Sequence, residues 1–330
     1  MVTRIHRLLA QTDKLHSEYA PGFWIIAGTV SSLFDEPIDP PIQACGKGFD
    51  KHTAWKKLYG ETAERVSASL YGAARPMTVS DPLSGAEHEL DPASFFGPAW
   101  TSASTGCASH TMREAAEIGA ITELWERRLV EQWWHHETPA ARLSQADTVT
   151  LGLDKIVSQG RRATKYPRET RFLWLGEGAQ LHVAAATSFS DDWTQAAIAF
   201  AADANPVRAF ARAFEELLCV EFETQHNLHV GNDIHFDAPH PIARVRSLEA
   251  ELKKRGNAEL SDAPILDVQG LKIFPTPRTG SLAESSGVLG FPLLLADITD
   301  ARISVPVCRA IFADPRAFPF LETGGLLSPL

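Results

Sequence analysis

The chain has 330 residues, eight of them Trp, and an ordinary hydrophobic content, so it is long enough to bury a large core. Its formal net charge of -10 argues against general nucleic-acid binding, which needs a basic surface to neutralise phosphates. The four cysteines form no CxxC pair, no cleavable signal precedes them, and the most apolar run, Val288 to Ile298, is too short to cross a bilayer. We therefore expect one cytoplasmic domain, spanning residues 1–330, with reduced thiols and no membrane partner.

The first part of the chain predicts a strand and a helix joined by a tight turn. Residues 1–40 begin with a basic, weakly helical stretch and continue into the apolar run Phe23 to Leu33, which is typical of a buried strand. A Gly-Lys-Gly turn at residues 46–48 then precedes a predicted helix. Residues 72–103 are rich in Pro, Gly and Ser and predict strands and turns.

A second and longer helix is predicted further on. The pair Thr111 and Glu114 has the spacing of a capping box in front of an apolar-periodic run, which predicts a helix from Thr111 to about Trp134. Two carboxylates and a guanidinium share one face of this helix among small and apolar residues: Glu123, Glu126 and Arg127. Buried carboxylates are destabilising unless a cation or hydrogen bonds offset their lost hydration, so one arginine leaves this face short of positive charge.

The pattern ExxER occurs twice. It spans Glu61–Arg65 and again Glu123–Arg127, 62 positions later (123 minus 61), each time on a predicted helix after a loop that contains Gly. One copy alone is more often an i, i+4 ion pair than a binding site, but two copies on similar helices indicate paired half-sites. We predict half-repeats near residues 22–72 and 95–136, with four carboxylates and two arginines converging on one cleft for a divalent metal and phosphate.

The rest of the chain predicts further strands and a third helix. The strands are expected within residues 172–175, 181–187, 196–201 and 288–312, and the helix over 206–224. Glu216 of this helix is a further candidate metal ligand, although Arg212 and Glu216 could equally form an i, i+4 surface pair. Arg309 lies near the end of the last strand.

Four histidines in a short segment raise the question of a zinc site: His226, His229, His235 and His240. No acidic or Cys partner stands at the short fixed spacings of a zinc signature. A zinc hydrolase is therefore the less favoured alternative, and it would show stoichiometric zinc in the purified protein. The residues that follow, 241–262, predict a charged helix.

Together these segments resemble the YcaO family of ATP-dependent enzymes that activate backbone amides in peptides. The resemblance is carried by GKG with ETAER in residues 46–65, SxGxA running into ELWER in 104–127, RAFEELL in 212–218, and DITD with VPVCRAIF in 297–312. Each motif is weak alone, but together they cover most of the chain. The resemblance implies an α+β (α/β) fold with a pseudo-repeated helix-and-sheet core around one ATP cleft.

The resemblance also implies cofactors and roles for individual residues. ATP would be bound with Mg²⁺, which prefers hard oxygen ligands from carboxylates, water and phosphates. The implied nucleotide-binding side chains are cations, among which guanidinium groups supply planar donors for phosphate: Lys47, Arg65, Arg127 and Arg309. The implied metal ligands or their supports are Glu61, Glu64, Glu123, Glu126 and Glu216.

The chain departs from the family pattern at several positions. Where family members carry a metal-binding Glu, an Asn, a loop Gly, a Gln and a Ser, this chain has, in that order, Ala115, Thr111, His110, Cys219 and Lys57. The missing carboxylate at Ala115 puts the metal stoichiometry in question. Glu114 beside it is either the helix cap or a substitute ligand.

The expected reaction is ATP-dependent cyclodehydration of a backbone amide in a ribosomally made precursor peptide, giving an azoline. An amide oxygen leaves readily only once it is phosphorylated, so catalysis consists mainly of positioning and charge neutralisation. Two alternatives stay open: an enzyme of the same family that forms a thioamide or amidine, and a non-catalytic scaffold subunit that binds precursor peptide or a partner. The resemblance also implies a partner protein, either a leader-binding protein or a flavin dehydrogenase, and leaves a homodimer open.

Overall fold

The computed structural model describes residues 2–33, 36–71, 76–91, 105–135, 137–190, 196–230, 250, 253, 263–303 and 305–314. Within these ranges the fold is mixed α and β, which confirms the predicted fold class. None of the helices in them is long and apolar enough to cross a membrane. The side chains of the four clustered histidines, and all but two residues of the charged helix predicted at 241–262, lie outside the described residues.

The helices and strands of these ranges are, in chain order, α1 (Val2–Leu8), β1 (Gln11–Leu15), β2 (Trp24–Leu33), β3 (Glu36–Gly48), α2 (Lys51–Tyr71), β4 (Met77–Ser80), β5 (Glu87–Leu90), β6 (Cys107–Ser109), α3 (Arg113–Trp134), β7 (Ala141–Arg142), α4 (Gln145–Thr150), α5 (Leu153–Gly160), β8 (Glu169–Gly178), β9 (Leu181–Phe189), β10 (Ala197–Asp203), α6 (Pro206–Val230), α7 (Thr279–Val288), β11 (Leu293–Asp297) and β12 (Val307–Phe312).

The strands form three antiparallel sheets. A three-stranded sheet has the order β1-β2-β3, a five-stranded sheet the order β5-β4-β11-β12-β6, and a four-stranded sheet the order β10-β9-β8-β7. The strand predicted at Phe23 to Leu33 is confirmed as β2. The strands predicted after residue 170 are confirmed as β8, β9, β10 and the hairpin of β11 with β12, paired from Leu293 opposite Phe312.

Each of the three long helices packs between two of these sheets. Helix α2 lies between the three-stranded and five-stranded sheets, α3 between the five-stranded and four-stranded sheets, and α6 between the four-stranded and three-stranded sheets. Successive side chains of a strand point to opposite faces of its sheet, so one sheet can pack against a different helix on each face. In β12, Cys308 and Ala310 belong to the apolar cluster around α3, whereas Val307 and Ile311 belong to the cluster that contains α2. Helices and sheets thus close into a ring around a central cleft.

Helix α3 starts two residues later than predicted. Its N-cap is Met112, which makes no side-chain capping bond, so the predicted capping box of Thr111 and Glu114 is wrong. Nδ1 of His110 instead accepts the backbone N–H of Met112 at 3.1 Å and lies 3.4 Å from Oγ1 of Thr111, the hydroxyl that the box would have used. The predicted end at Trp134 is confirmed, and α6 extends beyond its predicted end to Val230.

Two glycines explain why the motifs GKG and SxGxA need their small residues. A Cβ on Gly46 would lie 1.9 Å from the carbonyl oxygen of Ala54, because α2 packs directly on the backbone of β3. Lys47, the next residue of the strand, therefore points away from α2 and toward α6. Gly106 has φ +69°, a left-handed conformation that favours glycine, and a Cβ there would lie 2.3 Å from the carbonyl oxygen of Ala310.

Candidate active site

The cleft inside the ring has a volume of about 930 Å³, and its walls come from α2, α3 and α6 together with β3, β6 and β10. Eight of the nine residues that the sequence predicts as site residues line it: Lys47, Glu61, Glu64, Arg65, Glu123, Glu126, Arg127 and Glu216. The ninth, Arg309, does not line the cleft. The ring therefore brings together residues from three separate helices and one strand.

Strand β6 lies between the two ExxER helices and sets their distance from each other. A Cβ on Gly60 of α2 would lie 3.0 Å from Oγ of Ser109, and one on Gly119 of α3 would lie 2.9 Å from Cβ of Ala108. The absence of side chains at both glycines lets each helix approach the strand closely. The backbone N–H of Ser109 donates to Oε1 of Glu64 at 2.8 Å, which fixes this carboxylate at the cleft wall.

In both ExxER motifs the arginine lies next to the first glutamate. Nε of Arg65 lies 2.8 Å from Oε1 of Glu61, and Nε of Arg127 lies 3.7 Å from Oε1 of Glu123. The i, i+4 contact expected for a single motif is therefore present in each copy. Both pairs also line the same cleft, so the ion-pair contact does not exclude the predicted binding role.

Helices α3 and α6 are joined through one residue of β10. Oε2 of Glu126 accepts the backbone N–H of Ala202 at 3.0 Å, and Nη1 of Arg212 donates to the carbonyl oxygen of the same residue at 3.0 Å. Arg212 also lies 3.6 Å from Asp203. The predicted alternative of an Arg212–Glu216 surface pair is wrong, because Asp203 and Lys47 are the partners observed for these two side chains.

Three of the five predicted site carboxylates have raised pKa values. Burial raises the pKa of Glu123 to about 8 and that of Glu64 to about 7, and a neighbouring carboxylate adds to each increase, Glu126 in the first case and Glu61 in the second. Burial also raises the pKa of Glu126, which Arg127 and Arg212 only partly counteract. Since burial is the main cause of all three increases, an added cation that binds these carboxylates would favour their ionised forms.

Unlike Glu64, Glu123 and Glu126, the carboxyl group of Glu216 has a lowered pKa, because it forms an ion pair with Lys47. The ammonium group donates to Oε2 of Glu216. Burial alone would raise the pKa of Glu216, but the charge and hydrogen bond of Lys47 lower it. Burial alone would lower the pKa of Lys47, but Glu216 raises it well above its usual value. Both groups are therefore charged at neutral pH.

Arg309 lies behind the wall of the cleft. It is fully buried in β12, on the strand face that it shares with Val307 and Ile311 and that packs toward α2. Burial lowers its pKa, while the nearby Cys107 and Glu123 raise it. Its charge acts on the site through Glu123, and the structure does not place its guanidinium among the cleft-lining groups.

Sequence reasoning missed two features of this site. Arg212 lines the cleft between Glu126 and Asp203, and its position four residues before Glu216 was the signal that could have found it. Cys45 and Cys219 also line the cleft with their sulfur atoms 3.8 Å apart. No spacing rule relates two cysteines 174 residues apart, so this contact had no sequence signal.

The residues present fit magnesium together with a polyphosphate. Among the described residues, no three acidic, His or Cys side chains are gathered so that they could hold a metal ion by themselves. Mg²⁺ does not need such a cage, since it is usually bound through one or two carboxylates and completes its coordination with water and phosphate oxygens. Glu64, Glu123 and Glu126 offer the hard oxygen donors. Ala115 lines the cleft, whereas Glu114 is exposed and lies outside its lining.

Several solved structures share this fold. YcaO from Methanopyrus kandleri, bound with AMPPCP and Mg²⁺, aligns with a TM-score of 0.71 at 14% identity over 98% of this chain and 90% of that one. A heterocyclase in complex with substrate and cofactor aligns with a TM-score of 0.67 at 13% identity over 99% of this chain, which spans 55% of that protein. The E. coli microcin synthetase McbBCD complex with pro-MccB17 bound aligns with a TM-score of 0.61 at 11% identity, over 92% and 87% of the two chains. At these identities the likeness shows the fold alone.

The family follows from the sequence match. No curated protein is similar enough to the chain to count as a match. The model of a family described as YcaO cyclodehydratase, ATP- and Mg²⁺-binding, matches residues 82–316, which is more than two thirds of the chain. The chain therefore belongs to the YcaO family and is an ATP-dependent cyclodehydratase with ATP and Mg²⁺ as its cofactors.

Proposed function

We propose that this chain activates a backbone amide of a ribosomally made precursor peptide so that a Cys, Ser or Thr side chain of the peptide closes on it to give an azoline. The side-chain sulfur or oxygen gives up its proton to solvent and adds to the carbonyl carbon, and the former carbonyl oxygen takes the γ-phosphoryl group of ATP. Phosphate then leaves with that oxygen while the amide nitrogen gives up its proton and forms the C=N bond. The products are the azoline peptide, ADP and phosphate.

One observation carries this proposal: three helices and strand β3 bring seven glutamates and seven lysine or arginine side chains to the lining of one cleft, and burial raises the pKa values of three of those glutamates, Glu64, Glu123 and Glu126. Buried carboxylates are destabilising without a cation, and burial, with a smaller contribution from a neighbouring carboxylate, raises the pKa values of Glu64 and Glu123. We assign Glu64, Glu123 and Glu126 as the residues that hold Mg²⁺. When bound, the ion would neutralise charge on the phosphate oxygens.

The cations of the cleft supply the donors for phosphate. Two arginines line the cleft from different helices, Arg127 from α3 and Arg212 from α6. Their guanidinium groups can each donate two hydrogen bonds to a phosphate. Arg212 is the better candidate than the buried Arg309, since 54% of its side chain is exposed. Lys47 stays charged and orients Glu216.

We further propose that a partner protein delivers the peptide or oxidises its ring. The microcin synthetase that shares this fold is a complex of several proteins with its pro-peptide bound, which supports a partner that binds the leader or acts as a flavin dehydrogenase. A thioamide-forming or amidine-forming reaction would use the same amide activation with an external nucleophile. The mass of the modified peptide separates these products, because cyclodehydration alone removes one water.

The decisive experiment is calorimetric titration of the protein with AMPPCP, with and without Mg²⁺. Binding that requires Mg²⁺ is the expected result, and substituting Arg212→Ala should weaken it about tenfold, as expected for a lost charge-assisted contact. Arg302→Ala is the control, because Arg302 is paired with Asp300, is 53% exposed and does not line the cleft. Absence of nucleotide binding, both alone and with partner and peptide, would favour the non-catalytic scaffold.

A further inference from the structure

Strand β10 is the edge of its sheet, and this edge opens on the cleft. The order β10-β9-β8-β7 leaves one side of β10 without a neighbour among the described strands. Both of its faces are covered, since Ile198 and Phe200 belong to the apolar cluster around α3, and Ala199 and Ala201 to the cluster around α6. All four residues line the cleft. The part of β10 that faces the cleft is therefore its backbone edge.

The contacts of Ala202 establish which way the backbone groups of β10 point. Its N–H donates to Glu126 and its carbonyl oxygen accepts from Arg212, so both groups are directed into the cleft. In an antiparallel strand the N–H and C=O of one residue point to the same side, and residues two positions apart repeat that direction. Phe200 and Ile198 therefore direct their N–H and C=O groups toward the cleft as well.

These four backbone groups have no hydrogen-bond partner within the described part of the chain. Phe200 stands opposite Ala185 and Ile198 opposite Thr187 as the non-hydrogen-bonded pairs of the ladder with β9, and neither takes part in a backbone bond outside it. Only 3% of Ile198 and 6% of Phe200 is exposed. Buried backbone groups are nearly always satisfied in native proteins, so a partner is expected to bind here.

We infer that the peptide substrate binds in the cleft as an added strand on the edge of β10, paired with Ile198 and Phe200. The inference rests on the proposed function and locates its substrate. An extended chain presents an N–H and a C=O to the same side at every second residue, about 6.8 Å apart, and this repeat matches the two pairs on β10. An adenine ring offers a single donor–acceptor edge and matches one residue only.

The pairing ends where the charged groups begin. The backbone of Ala202 is already occupied by Glu126 and Arg212, so a peptide paired with Phe200 cannot continue the ladder past that point. Its next carbonyl group is left facing a carboxylate and a guanidinium without a backbone partner. A carbonyl oxygen that accepts a phosphoryl group must be free of a ladder hydrogen bond, and this position meets that requirement. Because the pairing uses only main-chain groups, it does not select the side chains of the peptide residues that pair with β10.

Amide hydrogen exchange of Ile198 and Phe200, followed by NMR, tests the inference. The probe is a mixture of octapeptides randomised at every position, added at millimolar concentration to protein saturated with Mg-AMPPCP. We expect exchange at both amides to slow at least about tenfold, with no change at Ala199, whose N–H already belongs to the ladder. Octapeptides methylated at every amide nitrogen serve as the control, since they cannot pair, and should give no protection.

The outcomes separate the two proposals. If Mg-AMPPCP does not bind, the proposed function fails by itself. If it binds and alone protects Ile198 and Phe200, the nucleotide base occupies the edge, and the inference is overturned. It is also overturned if the nucleotide binds normally and the peptide mixture protects neither amide.

A backbone variant gives a second test. Ile198→Pro removes the N–H that faces the cleft and no ladder bond, and proline is tolerated on edge strands with this orientation. Peptide affinity should fall about fivefold, as expected for one neutral hydrogen bond, while Mg-AMPPCP affinity stays unchanged. Ile198→Val keeps the N–H and should bind peptide as the natural chain does. A folded Ile198→Pro protein with unchanged peptide affinity would contradict the inference.

Discussion

The ammonium group of Lys47 on β3 and the carboxylate of Glu216 on α6 form an ion pair across the cleft, joining residues that are 169 positions apart in the sequence. The pair ties the three-stranded sheet to α6 on the side of the ring opposite β6. It also keeps Glu216 ionised, because Lys47 is the main influence that lowers the pKa of this buried carboxyl group.

Replacing Lys47 by Met should weaken Mg-AMPPCP binding at pH 7 about tenfold, the effect of losing one charge-assisted contact. Without the ammonium group the pKa of Glu216 rises, so the affinity of the variant relative to that of the natural chain should recover as the pH increases. Calorimetry at pH 7 and pH 9 measures both effects. Lys51→Met is the control, since Lys51 is exposed on the first turn of α2 and does not line the cleft.

Glu123→Gln and Glu126→Gln should each abolish peptide modification and reduce Mg-AMPPCP affinity at least tenfold, because the amide keeps the shape of the side chain but loses the charge that Mg²⁺ requires. The metal-free proteins should stay folded. Glu123 has a pKa of about 8 and is largely neutral at pH 7, so a neutral Gln in its place should leave the melting temperature unchanged. Glu114→Gln on the same helix is the control, and modification at the natural rate by Glu123→Gln would show that the metal site is misplaced.

The affinity for Mg-AMPPCP should increase with pH between about 6 and 8.5, because Mg²⁺ binds the ionised forms of Glu64 and Glu123, whose pKa values are about 7 and 8. Stability of the metal-free protein should change in the opposite direction. Each carboxyl group has a folded-state pKa above its ordinary value of 4.5, so the folded state binds more protons between these two values, and stability decreases as the pH rises through that window. Melting temperatures measured from pH 5 to pH 8.5 check the sign. Glu123→Gln should flatten the upper part of the curve.

Ala115→Glu should strengthen Mg-AMPPCP binding by roughly threefold to tenfold, since it adds a hard oxygen donor at a half-buried position that lines the cleft. Ala115→Gln has the same length without the charge and should give no increase. If Ala115→Glu is folded and binds as the natural chain does, then Ala115 does not face the metal. In that case Glu114→Gln should reduce affinity, which the exposed position of Glu114 does not lead us to expect.

Oxidation should join Cys45 to Cys219. Their sulfur atoms are 3.8 Å apart, and a disulfide forms when an added oxidant such as diamide takes up the two electrons and two protons that the thiols release. The hydrogen bond with Cys45 and burial raise the pKa of Cys219, so the reaction should be slow at pH 7 and faster at pH 9. Mass spectrometry after diamide treatment detects the bond. Cys107 and Cys308, both buried, are the internal comparison, and a Cys107–Cys308 disulfide in place of this one would contradict the prediction.

Local patterns were sufficient to predict most of the elements and the glutamates of the site. The period of apolar residues predicted β2 and the end of α3, and the ExxER spacing predicted which carboxylates share the cleft. Local patterns could not show that His110 would displace the capping box, because its Nδ1 reaches the Met112 N–H and the Thr111 hydroxyl only in the folded turn. The roles of Arg212 and Arg309 depended on packing between distant elements. A strand period places Arg309 on one face of β12, but only the assembled sheets show that this face is buried.

Strand β6 pairs with a strand that lies almost 200 residues later in the sequence, and this separation matters while the protein is being synthesised. Among the described strands of the five-stranded sheet, β6 pairs only with β12, from Ser109 opposite Val307, and β6 carries the N–H that holds Glu64 in place. A nascent chain on the ribosome therefore contains all of its cleft glutamates long before residue 312 has emerged, yet it lacks the strand that supports β6. Pairing over such a sequence separation is also slow to form. Nucleotide affinity should consequently arise only after translation of the last strand, so that unfinished polypeptides do not consume ATP.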